Sequence, residues 1–208
     1  MNKKKMLCLL SSVLLTMAPT TSYTSYNDKI NSNLEEQIRI NEDNEEKIGL
    51  IEKIVKETKV WIYEKRPKYD PSYVLLKDKD GDAPDSTGVC TDLVIRAYRS
   101  IGLDLQEEVQ NYLKSQGFST DKNIDHRRCK NLIMYFENSN LFSRINEEDY
   151  KPGDIIFWIL DSGKDHAGIV SDTKSKKDYL MLHHLHTYPS EDNVLRNWKI
   201  IKHYRLRQ

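Results

Sequence analysis

The sequence predicts an α+β domain, because helical and strand-like patterns occupy separate parts of the chain. Before residue 140, apolar side chains recur every three or four positions, as on one face of an amphipathic helix. After residue 150, short apolar runs are separated by turn-forming residues, as in antiparallel strands. Helices followed by strands, without regular alternation, are typical of α+β proteins. We therefore expect N-terminal helices packed on an antiparallel sheet.

The helical pattern occurs in four segments. A loop rich in proline, glycine and aspartate separates the first from the second, and Gly102 ends the second helix. The predicted helices span residues 48–65, 90–101, 105–115 and 129–138. The predicted strands span residues 154–160, 167–171, 179–183 and 198–204.

Composition excludes several classes of protein. The 208 residues include 32 lysines and arginines against 32 acidic residues, so the formal net charge is zero. A nucleic-acid-binding protein normally carries a basic surplus, and none is expected as a partner. Three cysteines are too few for a disulfide scaffold. No apolar run reaches the roughly 18 residues that a transmembrane helix needs.

The N-terminal segment has the pattern of a secretory signal peptide. Residues 2–5 are Asn-Lys-Lys-Lys, and an apolar run over residues 6–17 is followed by small and polar residues. A basic start, a short apolar core and a small-residue exit predict export to the envelope or the medium. We expect residues 1–27 to be a signal peptide, residues 28–47 a polar linker and residues 48–208 one domain. The exported chain then has 29 basic and 32 acidic residues, a charge of −3.

Cys90 is the strongest candidate for chemistry, because it is predicted to begin a helix. The loop before it, Asp-Ser-Thr-Gly-Val, is rich in turn formers. A helix N-terminus stabilises the thiolate, the reactive form of cysteine, and its free N–H groups can also hold an oxyanion. Two other roles stay open: Cys90 is a small buried apolar residue, or it forms a disulfide with Cys129.

A nucleophilic cysteine needs a base and a third group that orients the base. His166 opens one predicted strand and His183 closes the next, so both can lie near a helix N-terminus that packs on the sheet. His184 is an alternative orienting group. His183, His184 and His186 could instead bind zinc, but no His-Glu-x-x-His pattern accompanies them and Cys90 would then have no role. We expect neither a metal nor a cofactor.

Charged residues near these positions have more than one interpretation. Asp125 is expected to cap the helix that begins at residue 129. Arg127 or Arg128 can clamp a substrate carboxylate through the planar guanidinium, or can pair with nearby acids. Asp92 is expected to pair with Arg96, four residues later on one helix face, or to shape the pocket beside the cysteine.

Several motifs resemble a bacterial family catalogued as domain of unknown function 1287, within the papain-like NlpC-type cysteine peptidases. They read Gly-Val-Cys-Thr-Asp-Leu-Val-Ile-Arg-Ala at 88–97, Asn-Ile-Asp-His-Arg-Arg at 123–128, Pro-Gly-Asp-Ile at 152–155 and His-Ala-Gly-Ile-Val-Ser-Asp at 166–172. The end of the chain continues the match with Asn-Trp-Lys-Ile at 197–200 and His-Tyr-Arg at 203–205. The resemblance covers about residues 50–205 and implies a papain-like (NlpC-type) fold.

By motif position, the resemblance implies that Cys90 is the nucleophile, His166 the base and His183 the orienting group. The candidate substrate or oxyanion contacts are Tyr73, Asp92, His126, Arg127 and Arg128. NlpC-type relatives cut peptides of the bacterial cell wall, so the resemblance implies a cysteine amidase or peptidase acting on peptidoglycan-type peptides. The chain departs from the NlpC-type pattern after Tyr73, where a Gly-rich segment is replaced by Val-Leu-Leu-Lys, and after Cys90, where Thr-Asp replaces Ser-Gly.

The alternative is a non-catalytic envelope protein that binds wall peptides or a partner on the same fold. A Cys90 sulfur within reach of His166 in an open cleft favours the enzyme. A disulfide between Cys90 and Cys129, or a plugged cleft, favours the binding protein. The sequence leaves the oligomeric state open.

Overall fold

The computed structural model describes residues 36, 46, 48–76, 81–146 and 148–207. The chain divides into two compact units, Met1–Asp43 and Asn44–Gln208, and all elements discussed below belong to the second unit. The predicted signal peptide lies outside the described residues. The predicted linker does as well, apart from Glu36 and Glu46, which both have helical backbone.

The first helix, α1, spans residues 48–60 and continues into a π-helical turn at Trp61–Lys65. Its apolar stripe buries Ile54 and Val55. The turn ends at Arg66, which adopts a left-handed conformation with φ of 47° and donates its N–H to the Trp61 carbonyl at 2.9 Å. This agrees with the predicted helix over residues 48–65.

Three further helices match the predicted segments. They are α2 (Cys90–Arg99), α3 (Leu105–Ser115) and α4 (Cys129–Asn138). Gly102 follows α2 with φ of 86°, a conformation that glycine adopts without steric cost. No helix in the parts of the chain that the structure describes is long and apolar enough to cross a bilayer.

The start of α4 differs from the prediction. Asp125 does not cap this helix, because it begins a separate 3₁₀ turn, Asp125–Arg127, and Arg128 holds the cap position. The Asp125 carboxylate accepts instead from the Asp121 N–H at 2.6 Å and from the Gln110 amide at 3.3 Å. An extra turn between the aspartate and the helix was not evident from the spacing.

The C-terminal half forms a six-stranded antiparallel sheet within the described residues. The strand order is β3-β8-β4-β5-β6-β7, which places β5 near the centre. The strands are β3 (Phe142–Arg144), β4 (Ile155–Ile159), β5 (Asp165–Ser175), β6 (Asp178–His183), β7 (Ser190–Asp192) and β8 (Lys199–Leu206). The edge strands β3 and β7 were not predicted, because three residues are too few to show alternation. A parallel pair, β1 (Lys68–Tyr69) and β2 (Thr87–Gly88), lies before α2.

The main core lies between the helices and one face of the sheet. Helix α2 packs on β5 and is buried on nearly every side. The core includes Leu93, Val94 and Ala97 from α2, and Phe157 and Ile169 from the sheet. A smaller cluster on the opposite face is formed by Ile156, Trp158, Val170, Met181 and Leu195. The α+β class with an antiparallel sheet is therefore confirmed.

Two of the family-like motifs meet in a buried ionic cluster. Gly153, with φ of 84°, turns the chain into β4 and is followed by Asp154, which is 1% exposed. The Asp154 carboxylate lies 2.7 Å from His203 Nε2 and accepts from Arg205 Nε, also at 2.7 Å. It further accepts the Lys151 N–H at 2.8 Å. The Pro-Gly-Asp and His-Tyr-Arg motifs therefore tie β4 to β8.

Candidate active site

Cys90 occupies the first turn of α2, as the sequence predicts. Val89 before it is extended, and its N–H donates to the Asp92 carboxylate at 2.8 Å. This reach-back from the third helical residue fixes where the chain enters the helix. Cys90 is 7% exposed and lies at the positive end of the α2 dipole.

His166 lies on strand β5 and interacts with Cys90. Its Nε2 is 3.0 Å from His183 Nδ1, so Nδ1 is the ring nitrogen that His183 does not engage. The pKa of Cys90 is held well below its ordinary value by a hydrogen bond from the Cys129 thiol, against the opposing effect of burial. A hydrogen bond and positive charge from His166, and the Ala167 N–H, lower this pKa further. The geometry can therefore hold a thiolate–imidazolium pair.

His183 is buried on β6 and is the orienting partner of His166. Burial and the neighbouring charge of His166 lower the pKa of His183 to about 4. A neutral His183 that accepts from His166 at Nδ1 carries its proton on Nε2. That atom lies 3.5 Å from Asp192 Oδ2 on β7. This N–H makes no hydrogen bond among the residues that the structure describes, so the polar chain of Cys90, His166, His183 and Asp192 depends on charge proximity at its last link.

Gly168 explains how the two histidines approach each other. It pairs with His183 across β5 and β6. A Cβ at Gly168 would lie 3.1 Å from the His183 Cβ and 3.0 Å from the Leu182 carbonyl oxygen. A side chain here would press on the neighbouring strand, so the Ala-Gly step after His166 serves the packing of His183.

Two tryptophans enclose the histidine pair. The Trp158 ring stacks on His166 with centroids 5.6 Å apart and planes at 25°. Trp198 meets His166 and His183 edge-on, at 6.1 and 6.5 Å. Trp158 is fixed by an indole N–H bond to the Leu195 carbonyl at 3.0 Å. These rings limit the access of water to the imidazoles.

Cys90 opens onto a cleft of about 310 Å³. Tyr69 and Pro71 line one wall, Cys90 and Cys129 lie within it, and the exposed Arg128 stands on the same cleft. A larger groove of about 820 Å³ beside α1 includes none of the predicted site residues. The sulfur is therefore accessible from solvent through a small open cleft.

Tyr73 and His126 do not take their expected places. The Tyr73 hydroxyl donates to Asp121 at 3.0 Å and accepts from the Asn123 amide at 2.8 Å. Tyr73 does not line the cleft. Tyr69 lines the cleft instead, and burial together with the negative charge of Cys90 raises its pKa. His126 is buried away from the cleft, and burial lowers its pKa.

Arg127 lines the cleft and takes the alternative role given above, pairing with a nearby acid. Its guanidinium is 3% exposed and lies 3.0 Å from the Asp92 carboxylate, which is 1% exposed. It also donates to the Asp70 and Ser72 carbonyls, both at 2.8 Å. Arg127 therefore ties the loop before α2 to the 3₁₀ turn, and only Arg128 of this pair is exposed at the cleft.

The expected ion pair between Asp92 and Arg96 is also not formed. Arg96 pairs with Asp82 at 2.7 Å and lies over the Trp61 ring, 4.0 Å from its centroid. Asp92 is committed to Arg127 and to the Val89 N–H. The tertiary fold, and not the spacing along one helix, therefore determines which acid each arginine binds.

His184 points away from the pair formed by His166 and His183. Its ring meets Tyr69 edge-on at 5.3 Å, and burial lowers its pKa to about 4. His183 is therefore the histidine that contacts His166. Among the residues that the structure describes, no three histidine, cysteine or acidic side chains converge so as to hold a metal ion. Both Cys90 and Cys129 are free thiols.

Comparison with known proteins assigns the family. Residues 55–206 match the model of the family described as "Domain of unknown function (DUF1287)", so the chain belongs to this family. The chain is also 39% identical to "Uncharacterized protein YijF" of Escherichia coli (strain K12), over 66% of this chain and 73% of the relative. All four members of the polar chain fall within the matched residues. The part of the resemblance that names domain of unknown function 1287 is therefore confirmed.

Proposed function

We propose that the protein is an exported cysteine amidase or peptidase with a papain-like, NlpC-type fold. The observation that carries this proposal is the arrangement around Cys90: a thiol on the first turn of a buried helix, next to His166, which lies 3.0 Å from His183. A thiolate, a base and an orienting group in this order are what acyl transfer requires.

In the first step, the Cys90 thiolate attacks the carbonyl carbon of a peptide or amide bond. The negative charge that develops on the carbonyl oxygen is stabilised by the Cys90 backbone N–H at the start of α2. His166 then donates its Nδ1 proton to the leaving amine, and a thioester remains on Cys90.

In the second step, a water molecule attacks the thioester. His166, now neutral, takes a proton from this water, and the carboxylic acid leaves as the thiolate is restored. An amine in place of water would give acyl transfer by the same route. No group outside this chain is needed for either step.

His183 and Asp192 act by positioning. His183 accepts the Nε2 proton of His166 and so keeps Nδ1 directed at the sulfur. The Asp192 carboxylate lies 3.5 Å from His183 Nε2, so its charge favours the tautomer with the proton on Nε2, which can accept from His166. This second interaction distinguishes a directed relay from two histidines that merely touch.

The proposed substrate is a peptide of the bacterial cell wall. Support comes from the resemblance to NlpC-type peptidases and from the pattern of an export signal at residues 1–27. The cleft adds that the exposed Arg128 and Lys130 stand near the sulfur, which suits a peptide with a free carboxylate. An envelope location is part of the same proposal.

Thiol reactivity and cleavage together test the proposal. Iodoacetamide should alkylate Cys90 in the folded protein at neutral pH, well below the ordinary thiol pKa of about 8.5. Purified peptidoglycan fragments should be cleaved by the protein and not by Cys90→Ala, with products identified by mass spectrometry. A folded protein that cleaves nothing and whose Cys90 resists alkylation would be a non-catalytic binding protein.

A further inference from the structure

A second cysteine shares the cleft with Cys90. Cys129 is the first residue of α4, as Cys90 is the first residue of α2, so two helix N-termini converge on one pair of sulfurs. The two Sγ atoms are 4.0 Å apart, and both residues line the cleft. The proposed hydrolysis makes no covalent use of Cys129.

The two thiols differ in their ionisation. Cys90 has a lowered pKa, since Cys129 donates its S–H to the Cys90 sulfur and His166 adds positive charge. The same hydrogen bond raises the pKa of Cys129, which burial raises further. Cys90 is therefore the sulfur that ionises more readily, and Cys129 is the thiol next to it.

We propose that Cys90 and Cys129 form a site of reversible oxidation, in which a hydroperoxide oxidises Cys90 and Cys129 captures the product as an intramolecular disulfide. The inference rests on the proposed function only for the reactivity of the Cys90 thiolate. The hydroperoxide is the oxidant, and a dithiol is the reductant that restores the two thiols.

Oxidation of Cys90 by the hydroperoxide is the first step. The Cys90 thiolate attacks the terminal oxygen of the hydroperoxide, so that an S–O bond forms and the O–O bond breaks. The alkoxide or hydroxide that leaves takes up a proton. Cys90 is then a sulfenic acid without negative charge, so one of the causes of the raised Cys129 pKa is removed. The Cys129 sulfur attacks the sulfenic sulfur, the S–S bond forms, and the hydroxyl group leaves as water with the Cys129 proton.

The geometry suits this capture. A disulfide needs the sulfurs about 2 Å apart, so the pair must close by roughly half of its present separation of 4.0 Å. In the oxidised form the nucleophile is blocked, but it is protected from the sulfinic and sulfonic acids that a dithiol cannot reduce.

The test measures the mass of the protein and of its peptides, so it needs no substrate. All variants carry Cys8→Ser in the full chain, which leaves only two thiols. After a hydroperoxide, we expect the Cys8→Ser protein to lose two hydrogens, about 2 Da, and its digest to contain a peptide that joins Cys90 to Cys129. A dithiol should return both the mass and the alkylation of Cys90 by iodoacetamide.

The matched variant adds Cys129→Ala. Without the capturing thiol, Cys90 should gain two or three oxygens, about 32 or 48 Da, and the dithiol should restore no alkylation. Circular dichroism checks that this variant is folded, and Cys129→Ser provides a second variant with a polar side chain of similar size.

Three outcomes separate the two proposals. In one outcome, Cys90 is alkylated readily, but it gains oxygen at the same rate and as irreversibly when Cys129 is present as when it is absent. This result would overturn the oxidation site alone. A reversible disulfide in a protein that cleaves no wall peptide would overturn the hydrolase proposal and leave the oxidation site standing. A Cys90 that resists both reagents would overturn the oxidation site as well.

Discussion

Removal of the Asp92 carboxylate should destabilise the protein more than removal of an exposed acid. Asp92 is 1% exposed and accepts from Arg127 at 3.0 to 3.1 Å and from the Val89 N–H at 2.8 Å. In Asp92→Ala, a guanidinium with 3% exposure keeps its charge without its partner. Breaking a buried pair from one side costs about 3–5 kcal/mol, a large share of the roughly 5–15 kcal/mol that stabilises a domain.

Urea unfolding followed by circular dichroism measures this cost. With a slope of about 2 kcal/mol per molar urea, the midpoint of Asp92→Ala should fall by about 1.5–2.5 M. The matched control is Glu148→Ala, because Glu148 pairs with Arg196 at 3.1 Å while 73% exposed. Exposed pairs contribute about 0–1 kcal/mol, so this midpoint should move by less than about 0.5 M.

A second variant separates the lost pair from the lost volume. In Asp92→Leu with Arg127→Met, both charges are removed together, and a buried pair replaced by apolar residues is often neutral in stability. The double variant should therefore recover most of the midpoint lost in Asp92→Ala. If Asp92→Ala loses less than about 1 kcal/mol, or the double variant is no more stable than it, the buried pair does not hold this loop to α2.

Three further predictions concern the histidines and the sulfur. Gly168→Ala, whose Cβ would lie 3.1 Å from the His183 Cβ, should cost about 1–3 kcal/mol and slow the alkylation of Cys90; Gly49→Ala, with no atom within 4 Å, is the control and should not. Asp192→Ala should slow alkylation of Cys90 about tenfold without a change in unfolding midpoint, whereas Asp192→Asn should retain most of the rate because its amide oxygen still accepts; equal rates in both would contradict the relay. Because the Cys129 hydrogen bond lowers the Cys90 pKa, its removal in Cys129→Ala should move the midpoint of alkylation to higher pH; a midpoint that stays in place would refute that cause.

Local patterns were enough to predict the elements that carry the site. The helix start at Cys90 follows from turn formers before an apolar stripe, and both signals are local. His166 and His183 were placed by their positions at the ends of adjacent strands, and β5 and β6 are indeed neighbours in the sheet. Signals of this kind involve only a few neighbouring residues, so they can be recognised in the sequence without knowledge of the tertiary structure.

Partners that lie far apart in the chain could not be predicted. Asp92 binds Arg127, 35 positions away, although Arg96 lies at the spacing that favours a helical pair. The difference arises because Arg96 is drawn to Asp82 and Trp61 by the loop that folds over α2. The cleft is lined by Tyr69 and not by the predicted Tyr73 for a similar reason. The short pairing of β1 with β2 places Tyr69 at the cleft.

Asp192 was not predicted, because its strand has only three residues. Its role depends on which of the groups linked to it, His183, His166 and Cys90, carries a charge. Burial and the neighbouring charge of His166 lower the pKa of His183 to about 4, so His183 is neutral at pH 7. When the Nε2–H of His166 is donated to His183, the second proton of a charged His166 lies on Nδ1, and this imidazolium offsets the charge of the Cys90 thiolate. Were His183 the more basic ring, the positive charge would lie one residue further from the sulfur and the thiolate would lose that neighbour. Burial of His183 therefore does more than exclude water, because it keeps this ring neutral while it accepts from His166.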